Sequence, residues 1–202
     1  MSSDFASAGV QDALDVALLV AKALDAIGCD YFVGGSVASS LQGEPRATND
    51  IDFVVAMPAW RVGAFAAELG PDFEVDQETL REALRSSHCA NIFYLPLVMK
   101  IDLFGLGIAP YDEAEFSRRR RMRVRSTGEE LCVKSPEDTI LRKLLWYRLG
   151  GEVSSKQWRD VVEVFRVSGA QLDTGYLETW AGRLDLKELL ARARVAAGHR
   201  SG

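Results

Sequence analysis

The sequence predicts an α+β fold: a mixed sheet with flanking helices over residues 1–134, followed by a helical bundle over residues 135–202. Three observations predict it. Short runs rich in β-branched and aromatic residues recur up to Val133, separated by segments with apolar residues at helical spacing. At Ser135-Pro136-Glu137-Asp138 the character changes to a helix start, with a Ser cap, Pro at the first helical position and acids in the first turn. Beyond that point every segment reads as helix, and there is no repeat or low-complexity tract.

Gln11 to Ile27 is the first helix, carried by Leu14, Ala17, Leu18, Ala21 and Leu24 and stopped by Gly28. Tyr31-Phe32-Val33 is a short strand ending in Gly34-Gly35. Ser36 opens a helix to about Leu41, stopped near Gly43 and Pro45. The apolar run Ile51-Asp52-Phe53-Val54-Val55 is the next strand, entered through Asp50, and Pro58 to Leu69 reads as a helix. Ala90 to Leu95 and Val98 to Phe104 are strands joined around Pro96, with Lys100, Asp102 and Phe104 on one face of the second. Pro110 to Ser117 is a helix, and Arg118 to Val124 pairs with Glu130 to Val133 in a hairpin across Ser126-Thr127-Gly128. Four helices follow: Ser135 to Leu149, Ser155 to Val167, Thr174 to Leu184 and Lys187 to Ala197.

Composition narrows the function classes. A chain of 202 residues suits one domain, or one domain with a small helical extension. A net charge of −5 argues against a protein that coats nucleic acid but leaves room for a local basic surface. No apolar stretch reaches membrane-span length, and Met1-Ser2-Ser3-Asp4 lacks the basic start of a signal peptide. Cys29, Cys89 and Cys132 are scattered without metal-ligand spacing, so they read as reduced, buried thiols of a cytoplasmic protein.

The chemistry is carried by Gly34-Gly35-Ser36 and by Asp50-Ile51-Asp52. A strand that turns through Gly-Gly into a helix exposes backbone N–H groups at the positive end of the helix, and Ser36 adds a hydroxyl. Together these hold a triphosphate; the plainer alternative is an ordinary tight turn. Asp50 and Asp52 point to the same side of their strand and repel one another unless a divalent cation neutralises them. Asp102, between Ile101 and Leu103, is a third carboxylate in an apolar strand, where an unpartnered charge is costly. Three such acids on two strands would serve two Mg²⁺ ions, with Asp102 as general base or metal ligand. The alternatives are solvated strand-edge charges for the pair and pairing with Lys100 or an Arg for Asp102.

The order Gly34-Gly35-Ser36, Arg46-Ala47-Thr48-Asn49-Asp50-Ile51-Asp52, Lys100-Ile101-Asp102 resembles the DNA polymerase beta-like nucleotidyltransferase superfamily, and more narrowly its bacterial AbiEii-type branch. The resemblance covers roughly residues 30 to 165. It implies the nucleotidyltransferase fold, with Gly35 and Ser36 on the triphosphate and Asp50, Asp52 and Asp102 on Mg²⁺ or Mn²⁺. The branch also has a Lys on a helix after the sheet and an acid on the next helix. Lys143 and Asp160 occupy those places, against the alternatives of a solvated Lys and an Asp paired with an Arg. Arg46 and Thr48, just before the metal pair, are candidates for phosphate contact. The branch includes toxins, which implies a possible antitoxin partner.

Three further features are weighed. Six arginines lie between Arg118 and Arg125 and suit either an RNA acceptor or a charged edge strand that resists aggregation. Trp146, Tyr147, Trp158 and Trp180 lie at apolar helical spacing and read as core rather than as base-stacking surfaces. His88 has no companion that would give it chemistry. The leading expectation is a Mg²⁺-dependent transfer of a nucleoside monophosphate from an NTP such as ATP to a hydroxyl of RNA (tRNA included), a protein or a small molecule. The rivals are a binding module of the same fold without turnover and an antibiotic-type adenylyltransferase.

Overall fold

The computed structural model describes residues 10–45, 47–86 and 88–198. Helix α1 (Ala13–Ala26) leads into β1 (Tyr31–Val33), α2 (Gly35–Gln42) and β2 (Asp50–Val55). A single 3₁₀ turn at Ala59–Arg61 precedes α3 (Val62–Leu69), so the expected Pro58–Leu69 helix is divided. Then come β3 (Phe73–Glu74), α4 (Gln77–Ser86), β4 (Cys89–Tyr94), β5 (Met99–Gly105), α5 (Pro110–Ser117) and the hairpin β6 (Arg120–Arg123) and β7 (Glu130–Val133). The rest is α6 (Pro136–Leu149), α7 (Ser155–Ser168), α8 (Thr174–Arg183) and α9 (Lys187–Ala196). Ser135 caps α6, its Oγ accepting from the Asp138 N–H at 3.1 Å. Among the described residues no helix is long and apolar enough to cross a membrane.

Sequence spacing does not reveal β3 and α4. The stretch 77–86 shows only Leu80, Ala83 and Leu84 as apolar residues, too narrow a stripe to stand out. Its start is marked instead by Asp76, whose Oδ1 accepts from the N–H groups of Glu78 and Thr79.

The described strands form one mixed sheet in the order β3-β4-β5-β2-β1-β7-β6. β2 runs parallel to β5 with Asp50 opposite Lys100 and Asp52 opposite Asp102. β1 runs parallel to β7 and antiparallel to β2. Ile51, Phe53 and Val55 are buried on one face with Ile101 and Leu103, packed with α1, α3 and α4. The intervening Asp50, Asp52 and Val54 therefore fall on the other face. Sliding β2 by one residue would put two carboxylates in the core and expel three apolar side chains, each worth about 1.5–3 kcal/mol when buried. The apolar residues thus fix the placement of the acids.

The buried apolar residues form two clusters. The first joins the sheet to α1–α4. The second joins α6–α9 and takes in Tyr111 from α5. Helix α2 lies against β2 and also packs on α6 and α7, which brings the helical half of the chain over the acidic face of the sheet.

Candidate active site

β1 runs into Gly34, whose N–H donates to the carbonyl of Asp52 at 2.8 Å, tying the glycine turn to the acidic strand. Gly35 opens α2 with φ of 52°, a left-handed conformation that favours glycine. A Cβ there would overlap the carboxylate of Asp52 and stand 2.5 Å from its Cγ. Only glycine lets this carboxylate lie against the start of the helix.

The three acids meet as the strand register dictates. Burial pushes the Asp52 carboxyl above its ordinary value, and neighbouring Asp102 pushes it the same way; Lys134 and Lys143 oppose them. Asp102 accepts from Lys100 Nζ at 2.9 Å through Oδ2, while its Oδ1 is buried without a hydrogen-bond partner. That hydrogen bond holds the Lys100 amine above its usual range. Asp50 sits exposed at the strand entry.

This donor set fits a divalent cation. The acids are hard oxygen ligands, Asp52 and Asp102 repel one another, and one buried oxygen of Asp102 has no donor. Among the described residues, however, no three His, Cys, Asp or Glu groups are drawn together as a ready-made metal cage.

The acids open into a cavity of about 730 Å³. Gly34, Gly35 and Ser36 line it, and Lys134, which lies against Gly34, joins Arg142, Lys143 and Lys156 in a cationic wall. Each cation of the wall except Lys156 is braced by acids. Lys143 Nζ lies 2.8 Å from Asp160 and 3.3 Å from Gln157 Oε1, and both members of the Lys143–Asp160 pair are buried. Ser39 Oγ donates to the same Asp160 oxygen at 3.2 Å. Lys134 Nζ lies 2.9 Å from Glu115, and Arg142 pairs with both Glu115 and Asp112. Burial raises the Glu115 carboxyl, but Lys134 and Arg142 outweigh it and hold it below its ordinary value.

The structure thus brings Gly34, Gly35, Ser36, Asp50, Asp52, Asp102 and Lys143 to one cavity. Asp160 stands behind the wall, paired with Lys143 instead of an Arg. Thr48 faces its own strand: its Oγ donates to the Asp50 carbonyl at 3.2 Å and accepts from the Asp50 N–H at 3.3 Å. Arg46 lies outside the described residues. Lys134, Arg142 and Glu115 escaped sequence reading. The only signal for them is the acids in α5, which show no purpose until α5 is folded against α6.

The arginine run is mostly spent within the molecule. β6 is an edge strand of the sheet. Arg119 pairs with Asp30, Arg121 with Asp25, and Arg125 with Asp12 and Asp15. Arg118 lies over the Tyr176 ring, 3.3 Å from Glu137. Of the four aromatics expected in the core, Tyr147 and Trp180 are buried and Trp158 packs on Tyr147, but Trp146 is exposed and lines the cavity.

Comparison with solved structures agrees with this architecture. The solution structure of the antibiotic-resistance factor ANT(2'')-Ia matches over 94% of this chain and 100% of that one, with a TM-score of 0.50 and 16% identity. The crystal structure of ANT(2")-Ia in complex with adenylyl-2"-tobramycin matches over 84% of this chain and 95% of that one, at 0.53 and 14%. An antigenic nucleotidyltransferase-like protein from Paracoccidioides brasiliensis matches over 90% and 91%, at 0.52 and 20%. The fold is that of a nucleotidyltransferase. No family model matches the chain, and no curated protein does.

Proposed function

We propose that the protein is a Mg²⁺-dependent nucleotidyltransferase that moves a nucleoside monophosphate from an NTP to a hydroxyl acceptor and releases pyrophosphate. One observation carries the reading. Asp52 and Asp102 stand side by side on adjacent parallel strands, in a cavity that Lys134, Arg142, Lys143 and Lys156 also line.

In this reading the N–H groups at the start of α2 and the Ser36 hydroxyl cradle the phosphate chain, and Gly35 keeps that cradle in contact with Asp52. Lys143, held in place by Asp160, faces the polyphosphate and offsets charge building on the leaving pyrophosphate. Asp102 takes the proton of the acceptor hydroxyl as its oxygen bonds to the α-phosphorus and the bond to pyrophosphate breaks. Mg²⁺ or Mn²⁺, two ions held by Asp50, Asp52 and Asp102, would supply charge neutralisation at the phosphoryl oxygens. Residues 1–134 contribute the carboxylates and the phosphate cradle, and 135–202 most of the cationic wall.

For the acceptor we favour a small hydroxyl compound over RNA. Four of the six arginines between Arg118 and Arg125 are tied to the protein's own acids. Arg119 and Arg121 line a separate cavity of about 330 Å³, with Asp25 and Asp30. The adenylylated tobramycin named for one structural neighbour supports the same choice. An RNA or protein acceptor is the second reading. The AbiEii-type placement, with an antitoxin partner, rests on motif order, and action in the cytoplasm on the scattered cysteines. The presence of all three acids argues against a module that binds without turnover.

The test is incorporation. The protein, Mg²⁺ or Mn²⁺ and each α-labelled NTP are incubated with an aminoglycoside panel, with total RNA and with protein alone, beside Asp52→Ala. Label on a small molecule that disappears in the variant supports the reading. Label confined to RNA or protein changes the acceptor class, and its absence from every arm with every NTP counts against turnover.

A further inference from the structure

We infer that Trp146 is the platform on which the nucleobase of the NTP stacks; this rests on the transferase reading above. Helix α6 buries Ile140, Leu141, Leu144 and Tyr147 in the second apolar cluster. Trp146 lies out of that phase and is 54% exposed, yet it lines the cavity. It follows Lys143 by three residues and Arg142 by four, so it neighbours both on the helix surface. Those two are half of the cationic wall.

An indole left half in water forgoes much of the burial that makes Trp valuable in a core. Here it offers a flat apolar face inside a cavity, next to the groups assigned to the phosphates. Gln157, which accepts from Lys143 Nζ, and Lys156 line the same end of the cavity. The ligand that lies on Trp146 is therefore the one whose charge the wall takes up. The acceptor has its own approach. Its hydroxyl must reach Asp102 on β5, where Phe104 and Cys89 line the sheet side of the cavity. A base is the aromatic group that a phosphate-bearing ligand brings to such a ring, and stacking tolerates all four bases.

The experiment is calorimetric titration of the full chain, in Mg²⁺ throughout, with each of the four NTPs and with inorganic tripolyphosphate. It compares the natural sequence, Trp146→Ala and Trp146→Phe, each checked by thermal unfolding. Trp146→Ala is expected to weaken NTP binding on the order of tenfold, to leave tripolyphosphate affinity unchanged, and to be largely rescued by Trp146→Phe. Unchanged NTP affinity in Trp146→Ala overturns the platform but leaves the transferase reading standing, because the natural protein still binds the triphosphate. An equal loss of tripolyphosphate affinity also overturns it, since the residue would then act by placing Lys143. If the natural protein binds neither NTP nor tripolyphosphate, both readings fall.

Discussion

Gly35→Ala tests the contact on which the site is built. Gly35 has φ of 52°, and an alanine held there costs about 1–2 kcal/mol in backbone strain. Its Cβ would also overlap the Asp52 carboxylate and stand 2.5 Å from Asp52 Cγ, an overpacking worth about 1–3 kcal/mol if nothing moves. With Asp52→Ala already in place, the nearest remaining atom is the Cβ of residue 52 at 3.1 Å, so mainly the backbone strain is left. Urea unfolding of the four proteins of this cycle should therefore show Gly35→Ala costing about 2–5 kcal/mol in the natural background and about 1–2 kcal/mol beside Asp52→Ala. If Asp52 swings aside, the stability difference shrinks and the loss passes to catalysis. A displacement of about 1 Å at a reacting group is enough for a roughly hundredfold fall in NTP incorporation. An equal cost in both backgrounds together with full incorporation by Gly35→Ala would refute the reasoning.

The other predictions concern charge. Mg²⁺ at ten times its dissociation constant should stabilise the natural protein by about 1.4 kcal/mol in thermal unfolding. Asp52→Asn should lose that gain yet be more stable than the natural protein in EDTA, because one of two adjacent buried charges is gone; an equal Mg²⁺ shift in both proteins excludes Asp52 as a ligand. Lys143→Met removes the cation 2.8 Å from buried Asp160 and should cost about 3–5 kcal/mol in urea unfolding. Adding Asp160→Asn should return part of that loss without restoring NTP affinity, and a double variant no more stable than the single one would deny the pairing its role. Glu115 titrates below its ordinary value of 4.5 in the folded state, so its contribution is complete above that value and is lost as pH falls through the lower, folded one. Stability measured from pH 7 downward should fall less steeply below about pH 4.5 in Glu115→Gln than in the natural protein; parallel curves would contradict this.

Much of this architecture is legible in the sequence because the signals are local. Ile51, Phe53 and Val55 alternate with the acids, and Ser135-Pro136 announces α6 in four residues. The pairing of β2 with β5 is not local. Nothing in either strand says that the two are neighbours, and Asp102 meets Asp52 only once that parallel register is set. The arginine run shows the same limit from the other side. Its density is plain in the sequence, but its partners Asp12, Asp15, Asp25 and Asp30 lie about a hundred residues earlier, so its neutralisation is a tertiary fact. Trp146 sits in the apolar run Leu144-Leu145-Trp146-Tyr147, and the packing of Leu144 and Tyr147 into the second cluster shows that it faces the other way.

The chain gathers acids and cations around one cavity. The acids alone would be unfavourable. Asp52 and Asp102 repel each other, and burial together with that repulsion raises the Asp52 carboxyl above its ordinary value. Most of the cations are already matched: Lys143 by Asp160, Lys134 by Glu115, and Arg142 by Glu115 and Asp112. The wall is therefore braced from behind, and it leaves Asp102 Oδ1 without a donor and the Asp52 carboxyl raised despite Lys134 and Lys143. A ligand that suits this cavity must bring cations to the acids and anions to the wall at once. A metal-bound polyphosphate does both, whereas a polyphosphate alone meets repulsion from Asp50 and Asp52, and a metal ion alone leaves the wall unused. Binding of NTP and of Mg²⁺ should accordingly each strengthen the other, and this reciprocity follows from the charge layout whichever acceptor completes the reaction.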